Sequence, residues 1–373
     1  MPRVFLLSDI GNEPDDAQSL VRILTQPFEK LSSSGLPVYG MDGVGDGKDS
    51  EGSKRLVKAV DASDEPLWVP TISDQDNTGS WIRRNRPQLF YIASVHHFNR
   101  YALAAWGGIS GDEYYNFPSF SNLDVVSPEW IQENIQSVGA LGAKYPDADF
   151  IVEGDTPALL YLIPNGLSDP EHPEWGSWGG RYGPVTYGEG HYADSVDAIK
   201  GVSGRTIMSS QATVWRWREA FQNDFAARLK WSASSKFHDA PHAPVVVLNG
   251  DRSRKVVKMV VGEEEQYLEP SSNNNNPGRG VGRLELSDAN APIIAVTMPS
   301  KESLRAPGRN RRPDDDKHMH LILEVSDGTL VSYRRVVFTI LGPAANDKTA
   351  TDGKKPQETV HDEFSSTLED RLG

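Results

Sequence analysis

Two short apolar runs, "RVFLLSD" at 3–9 and "DFIVEGD" at 149–155, each end in a carboxylate. A strand buried on both faces of a parallel sheet is apolar along its length and delivers polar groups at its C-terminal end, where ligands of α/β sheets gather. Helical stretches follow, Asp15 to Thr25 after the first run and Thr213 to Trp231 later in the chain. This alternation predicts an α/β domain built on a mostly parallel sheet with flanking helices.

From Pro244 the texture changes. The runs "PVVVLNG", "KVVKMVVG", "GRLELSD", "PIIAVTMP", "HMHLILEVSDG" and "SYRRVVFTI" are short, β-branched and separated by turn residues, the pattern of an Ig-like all-β sandwich. All nine Trp lie between Trp68 and Trp231, so the aromatic content divides the chain at the same place. The expected organisation is an α/β domain at 1–243, a sandwich at 244–343 and a disordered polar tail at 344–373, with loops at 269–280 and 299–318.

Composition excludes several classes of function. The 38 basic residues against 52 acidic ones give a formal charge of −14, the wrong sign for a protein that holds nucleic acid through its phosphates. With no cysteine, thiolate metal sites, disulfides and Cys nucleophiles are out. No run reaches the 18 or so apolar residues of a membrane span. Only Val4 to Leu7 are apolar before Ser8 and Asp9, too short for the core of an export signal.

The most informative stretch is "VFLLSDIGNEPDDAQSLVRIL". A strand ends at Asp9, Gly11 and Asn12 turn the chain, and Pro14 opens a helix whose apolar face is Ala17, Leu20, Val21 and Leu24. Asp9, Glu13, Asp15 and Asp16 place four carboxylates within eight residues. A helix dipole offsets only about 0.3–1 kcal/mol per charge, and a hard cation with oxygen ligands, Ca²⁺ above all, would relieve the rest. Helix capping is the alternative for Asp15 and Asp16. It accounts less well for Asp9, at the end of a buried strand.

This stretch resembles the amino-terminal metal loop of the nucleoside hydrolases, Asp-x-Asp-x-x-x-Asp-Asp before a helix. It is more similar still to a family of cellulose-binding proteins with a nucleoside hydrolase-like domain followed by a β-sandwich. "DIGNEPDDAQSLVR", "PLWV", "TISDQDNTGSWIR", "GDTPALLYLIPNGL", "PEWGSWGGRY", "ATVWRWREAFQNDFAARLKW" and "HLILEV" all have counterparts there. The resemblance implies hydrolysis of the N-glycosidic bond of a nucleoside or related sugar, or else noncatalytic binding of cellulose or another carbohydrate. Its carbohydrate-binding side also implies secretion.

Residue by residue, the resemblance makes Asp16 a calcium ligand, with Asp9, and gives Asp15 to a sugar hydroxyl. The second Asp of the loop, which binds metal and activates water, is replaced by Gly11. Glycine cannot take a proton, which leaves Glu13 or Asp9 for the catalytic base. Thr156 falls near a threonine whose backbone oxygen binds calcium. Asp155 or Thr156 as a plain helix cap is the alternative. Asp224 lies seven residues beyond Trp217 and three beyond Phe221, on the apolar face of its helix. It matches the family's late carboxylate ligand, and Arg228, four residues on, is its alternative partner.

For sugar binding, Trp175 and Trp178 lie in "EHPEWGSWGGRYG", which has neither helical nor strand period. Both are expected on a loop rather than in the core, beside Glu174 and Arg181. "SDQDNTGSW" adds Asp74 as a substrate-side residue, near Asp76 and Trp81. Relative to the family the chain is short between Gln26 and Leu36 and between Val69 and Thr71, a shortening expected to open strand edges.

Overall fold

The computed structural model describes residues 3–8, 14–26, 51–65, 67–72, 90–93, 108–110, 122–149, 151–185, 190–246, 255–260, 285–286, 296–297 and 318–341. Asp9, Glu13 and Asp74, the loop at 269–280 and the tail at 344–373 lie outside them.

The first apolar run forms two short strands, β1 (Arg3–Val4) and β2 (Leu7–Ser8). They pair in parallel with β3 (Leu67–Trp68) and β4 (Thr71–Ile72), in one continuous register from Arg3↔Leu67 to Ser8↔Ile72. Pro70 faces the interruption and has no N–H to offer a ladder. One edge of the first strand is therefore taken by 67–72. Between these strands run helices α1 (Pro14–Leu24) and α2 (Glu51–Asp61).

Farther on, the expected mostly parallel sheet gives way to mixed pairing among the described residues. β5 (Tyr91–Ala93) pairs in parallel with β7 (His191–Asp194), but β6 (Tyr182–Pro184) pairs with β7 antiparallel. β8 (Asp197–Lys200) and β9 (Thr206–Ser209) form a second antiparallel pair. Parallel neighbours need a crossover of a dozen or more residues, and the links after β6 and β8 are shorter than that.

The run at 149–155 also departs from expectation. Instead of a ladder strand, residues 151–153 are a buried bent segment, held where Ile109 N–H donates to the Val152 carbonyl (3.2 Å) and Val152 N–H to Ser110 Oγ (2.8 Å). Glu153 then turns at φ 50°, a region that side chains other than Gly rarely enter, and ends it.

Among the described residues, the short α-helices after α2 are α3 (Pro128–Ile131), α4 (Gly139–Gly142), α5 (Thr156–Leu160) and α6 (Ala212–Trp215). α7 (Arg218–Ala233) follows. The helix expected over 213–231 is thus two, parted at Trp217 (φ −101°, ψ 1°). Just past that break Arg218, 1% exposed, turns inward and donates to the carbonyls of Ile109 (2.7 Å) and Asn122 (2.8 Å).

In the C-terminal part, β14 (Val331–Leu341) is central, parallel to β10 (Lys255–Val260) and antiparallel to β13 (His318–Ser326). β11 (Glu285–Leu286) and β12 (Val296–Thr297) form a separate antiparallel pair. The described strands of the region expected to be an Ig-like all-β sandwich thus pair both in parallel and antiparallel.

The two parts share one core. Tyr333 of β14 is buried in the cluster that contains Trp178, Phe221, Phe225, Leu160 and Leu229. Trp178 Nε1 donates to Tyr333 Oη (3.3 Å), and Tyr333 N–H to the Asn165 carbonyl (3.2 Å). Gly166, at φ 88°, passes so close that a Cβ there would lie 2.0 Å from the Tyr333 oxygen. Only glycine fits that crossing.

Candidate functional site

The first turn of α1 carries Asp15 and Asp16, 6% and 3% exposed. Asp15 Oδ1 accepts from Asp16 N–H (3.0 Å), a local bond that favours a helix start. One turn on, Ser19 Oγ meets Thr156 Oγ1 at 2.7 Å, which joins α1 to the start of α5. The first two turns of α1 and the start of α5 are therefore brought together.

Beneath them lies a buried polar hub that the sequence reading missed. Glu153, 0% exposed, accepts four hydrogen bonds on two oxygens. Oε1 takes Arg22 Nη2 (2.7 Å) and Tyr145 Oη (2.8 Å); Oε2 takes Arg22 Nε (2.5 Å) and Thr156 Oγ1 (2.7 Å). Its own N–H donates to Gln18 (2.8 Å). Arg22 also donates to the Phe221 carbonyl (3.1 Å) and to Gln222 of α7, and its guanidinium stacks over Phe225 at 4.2 Å. Burial and the facing Glu153 carboxylate push the Tyr145 hydroxyl well above its ordinary value. One ion pair thus ties α1, the 151–156 segment and α7 together. The signal available in sequence was Arg22 itself, an arginine one residue beyond Val21 on a helix that has to pack, which needs a carboxylate.

The expected ligands behave differently from one another. Asp224 is 9% exposed, as the helical spacing required, but its Oδ2 accepts from Arg228 Nε at 2.7 Å. The i,i+4 partner has taken it. Thr156 Oγ1 is engaged by Glu153 and Ser19. Asp155 occupies the cap position of α5 without a side-chain capping bond. Among the described residues no three acidic or His side chains converge on a point that could hold a cation. The Asp224 carboxylate is thus paired with Arg228 and the Thr156 hydroxyl with Glu153 and Ser19, while Asp9 lies outside the described residues.

The tryptophans also separate. Trp178 is corrected from loop to core: it is 2% exposed, with ring contacts to Tyr333 (6.2 Å) and Phe221 (6.4 Å). Gly179 explains how a Gly-rich stretch becomes core, since a Cβ there would lie 2.1 Å from the Pro157 carbonyl oxygen of α5. Arg181 is likewise buried, on Asp197 (Nε–Oδ1 2.6 Å). Trp175 stays near the surface, half-buried. His172 stacks on one of its faces (3.8 Å, 3°), and His320 of β13 meets it edge-on (4.7 Å). His172 Nδ1 lies 2.9 Å from Glu174 Oε1.

The family described as cellulose-binding Sde182, nucleoside hydrolase-like domain, matches residues 69–182. The one described as cellulose-binding protein Sde0182, C-terminal domain, matches residues 263–340. A solved structure from Saccharophagus degradans, a nucleoside hydrolase-related hypothetical protein associated with carbohydrate metabolism, superposes with a TM-score of 0.62 at 24% identity, covering 91% of this chain and 100% of that one. No curated protein matches. With a nucleoside hydrolase-like fold, and both family matches in the order expected from the sequence, the chain belongs to the cellulose-binding protein family that joins a nucleoside hydrolase-like domain to a distinct C-terminal domain.

Proposed function

We propose that this chain is a carbohydrate-binding protein that keeps a nucleoside hydrolase-like scaffold without its hydrolysis, with a polysaccharide such as cellulose as ligand. Gly11 carries this reading. It stands where the resemblance puts the residue that activates water, and glycine has no group to take a proton. The Asp224–Arg228 pair supports it, because that carboxylate is already neutralised. The family's cellulose-binding description supports the ligand class. In this reading 1–243 form the nucleoside hydrolase-like domain and 244–343 an Ig-like sandwich. The full chain should be retained on microcrystalline cellulose and leave a nucleoside panel intact with or without calcium. Nucleoside turnover would sink the reading.

The burial of Asp15 and Asp16 favours a second reading, a hydrolase of N-glycosidic bonds. Glu13 or Asp9 would then take the proton from water, Asp15 would hold a sugar hydroxyl, and Asp9 and Asp16 would bind calcium. Calcium raising the melting temperature, together with turnover that Glu13→Gln abolishes, would select it.

A further inference from the structure

Beyond α7 the chain builds a column of parallel rings. His242 lies against Phe237 with centroids 3.6 Å apart and planes within 2°, and against Trp231 at 5.2 Å and 5°. The Arg228 guanidinium stands over the Trp231 ring at 5.3 Å. Phe237 lies in a short 3-10 turn, Phe237–Asp239, and is 76% exposed. One face of this largely exposed phenylalanine is thus held flat against an imidazole.

The loop that presents it is pinned throughout. Trp231 Nε1 donates to the Pro241 carbonyl (2.9 Å), and His242 Nε2 contacts the Phe237 carbonyl oxygen at 2.7 Å. Ser234 Oγ donates to Asp239 Oδ2 (2.5 Å) and accepts from Lys236 N–H (3.2 Å). The ring's orientation is therefore fixed before any ligand arrives, which lowers the entropy cost of binding.

The surroundings decide the class of ligand. Lys236, His238 and Asp239 beside the ring are all exposed, and Val245 is the one nearby exposed large aliphatic residue in the segment, at 67%. A protein interface needs about 800 Å² per partner with an apolar centre, far more than a single ring with a polar rim. A pyranose has the complementary form: a face of axial C–H groups that packs on an aromatic ring, and a girdle of hydroxyls that hydrogen-bond to charged and imidazole groups.

We propose that the outer face of Phe237, with Lys236, His238 and Asp239 as its rim, is a subsite for one pyranose ring of a β-linked glucan, distinct from the acidic site at α1. The inference rests on the carbohydrate-binding reading and gives it a location. It is tested by calorimetric titration of the full chain with cellohexaose, using wild type, Phe237→Ala and Phe237→Trp, with sedimentation velocity in parallel. Phe237→Ala should melt within a few degrees of wild type and bind at least tenfold more weakly. Phe237→Trp should retain binding, with its indole emission shifting to the blue on saturation.

Equal affinity of wild type and Phe237→Ala would overturn this subsite while leaving the proposed function standing. Failure of wild type to bind either cellohexaose or cellulose would overturn both. A dimer that Phe237→Ala dissolves would instead assign the ring to contact between copies, and would also overturn the subsite.

Discussion

Replacing Glu153 by Gln keeps the size of the side chain and removes the charge that Arg22 faces. Glu153 is 0% and Arg22 3% exposed, so solvent screening gives no relief. Four donors converge on the two carboxylate oxygens: Arg22 twice, Tyr145 and Thr156. In Gln one of these oxygens becomes an amide NH₂, which meets two donors with no lone pair. Removing one partner of a buried pair and stranding the other typically costs about 3–5 kcal/mol. At an unfolding entropy of roughly 2.1 cal/mol/K per residue, the 373 residues give about 1.3 °C per kcal/mol, so Glu153→Gln should lower the melting temperature by roughly 4–6 °C. A double-mutant cycle identifies the cause. If a stranded Arg22 charge is what destabilises, Arg22→Met should cost much less in the Glu153→Gln background than alone, with a coupling of about 2 kcal/mol or more, near the upper end of measured couplings. Urea unfolding of the four proteins measures this. Loss of less than about 1 kcal/mol in Glu153→Gln would show that the hub does not hold these three segments together.

Other perturbations bear on separate parts of the argument. Tyr333→Ala empties a buried site against Trp178 and Trp217 and should cost about 3–5 kcal/mol. Calorimetry should still show one transition, whereas two would mean that the halves unfold independently. Asp224→Asn removes the charge facing Arg228, a pair at the margin of solvent. A loss of about 1 kcal/mol, insensitive to added calcium, is expected by thermal shift, whereas calcium-dependent stability lost in this variant would make Asp224 a ligand. Burial holds the hydroxyls of Tyr145, Tyr161 and Tyr333 above their ordinary value of about 10. A raised value in the folded state gives stability that is complete below pH ~10 and is lost as pH rises toward the folded value. Ultraviolet titration should therefore leave these three protonated near pH 10, ionising only as the chain unfolds.

What could be read from sequence was what depends on near neighbours. Helix α1, with its acidic first turn, is opened by Pro14 and forms within a residue of expectation, but of its expected apolar face only Val21 is buried. Ala17 and Leu20 are half-buried, Leu24 is exposed, and Gln18, Ser19, Arg22 and Ile23 are buried instead. Asp224 on a buried helical face follows from 3.6-residue periodicity, and its pairing with Arg228 from i,i+4 spacing. Trp178 was misplaced because its burial is decided by Tyr333, 155 positions away, and a Gly-rich stretch carries no period to betray a core. Glu153 was read only as the end of a strand. Its left-handed turn and its pairing with Arg22 depend on helices that approach from distant parts of the chain.

The C-terminal strands also shape the first domain. Arg335, 4% exposed, donates to the carbonyls of Leu167 (3.0 Å) and Gly176 (3.1 Å), and Tyr333 N–H to that of Asn165. These three carbonyls lie in the 165–176 connection that carries Trp175, and buried backbone acceptors must be satisfied by something. On the side of β13, His320 meets Trp175 edge-on. The loop next to Trp175 therefore takes its form from β14 as much as from its own sequence, and the C-terminal domain is a structural part of the surface it adjoins. Polysaccharides are long relative to any one pocket. A protein that binds them gains by fixing several ring-sized contacts on one rigid body, since each further contact is then made at high effective concentration. One core shared between the two halves provides that rigidity, and the pinned column at Phe237 sits at the end of the helix, α7, that runs through it.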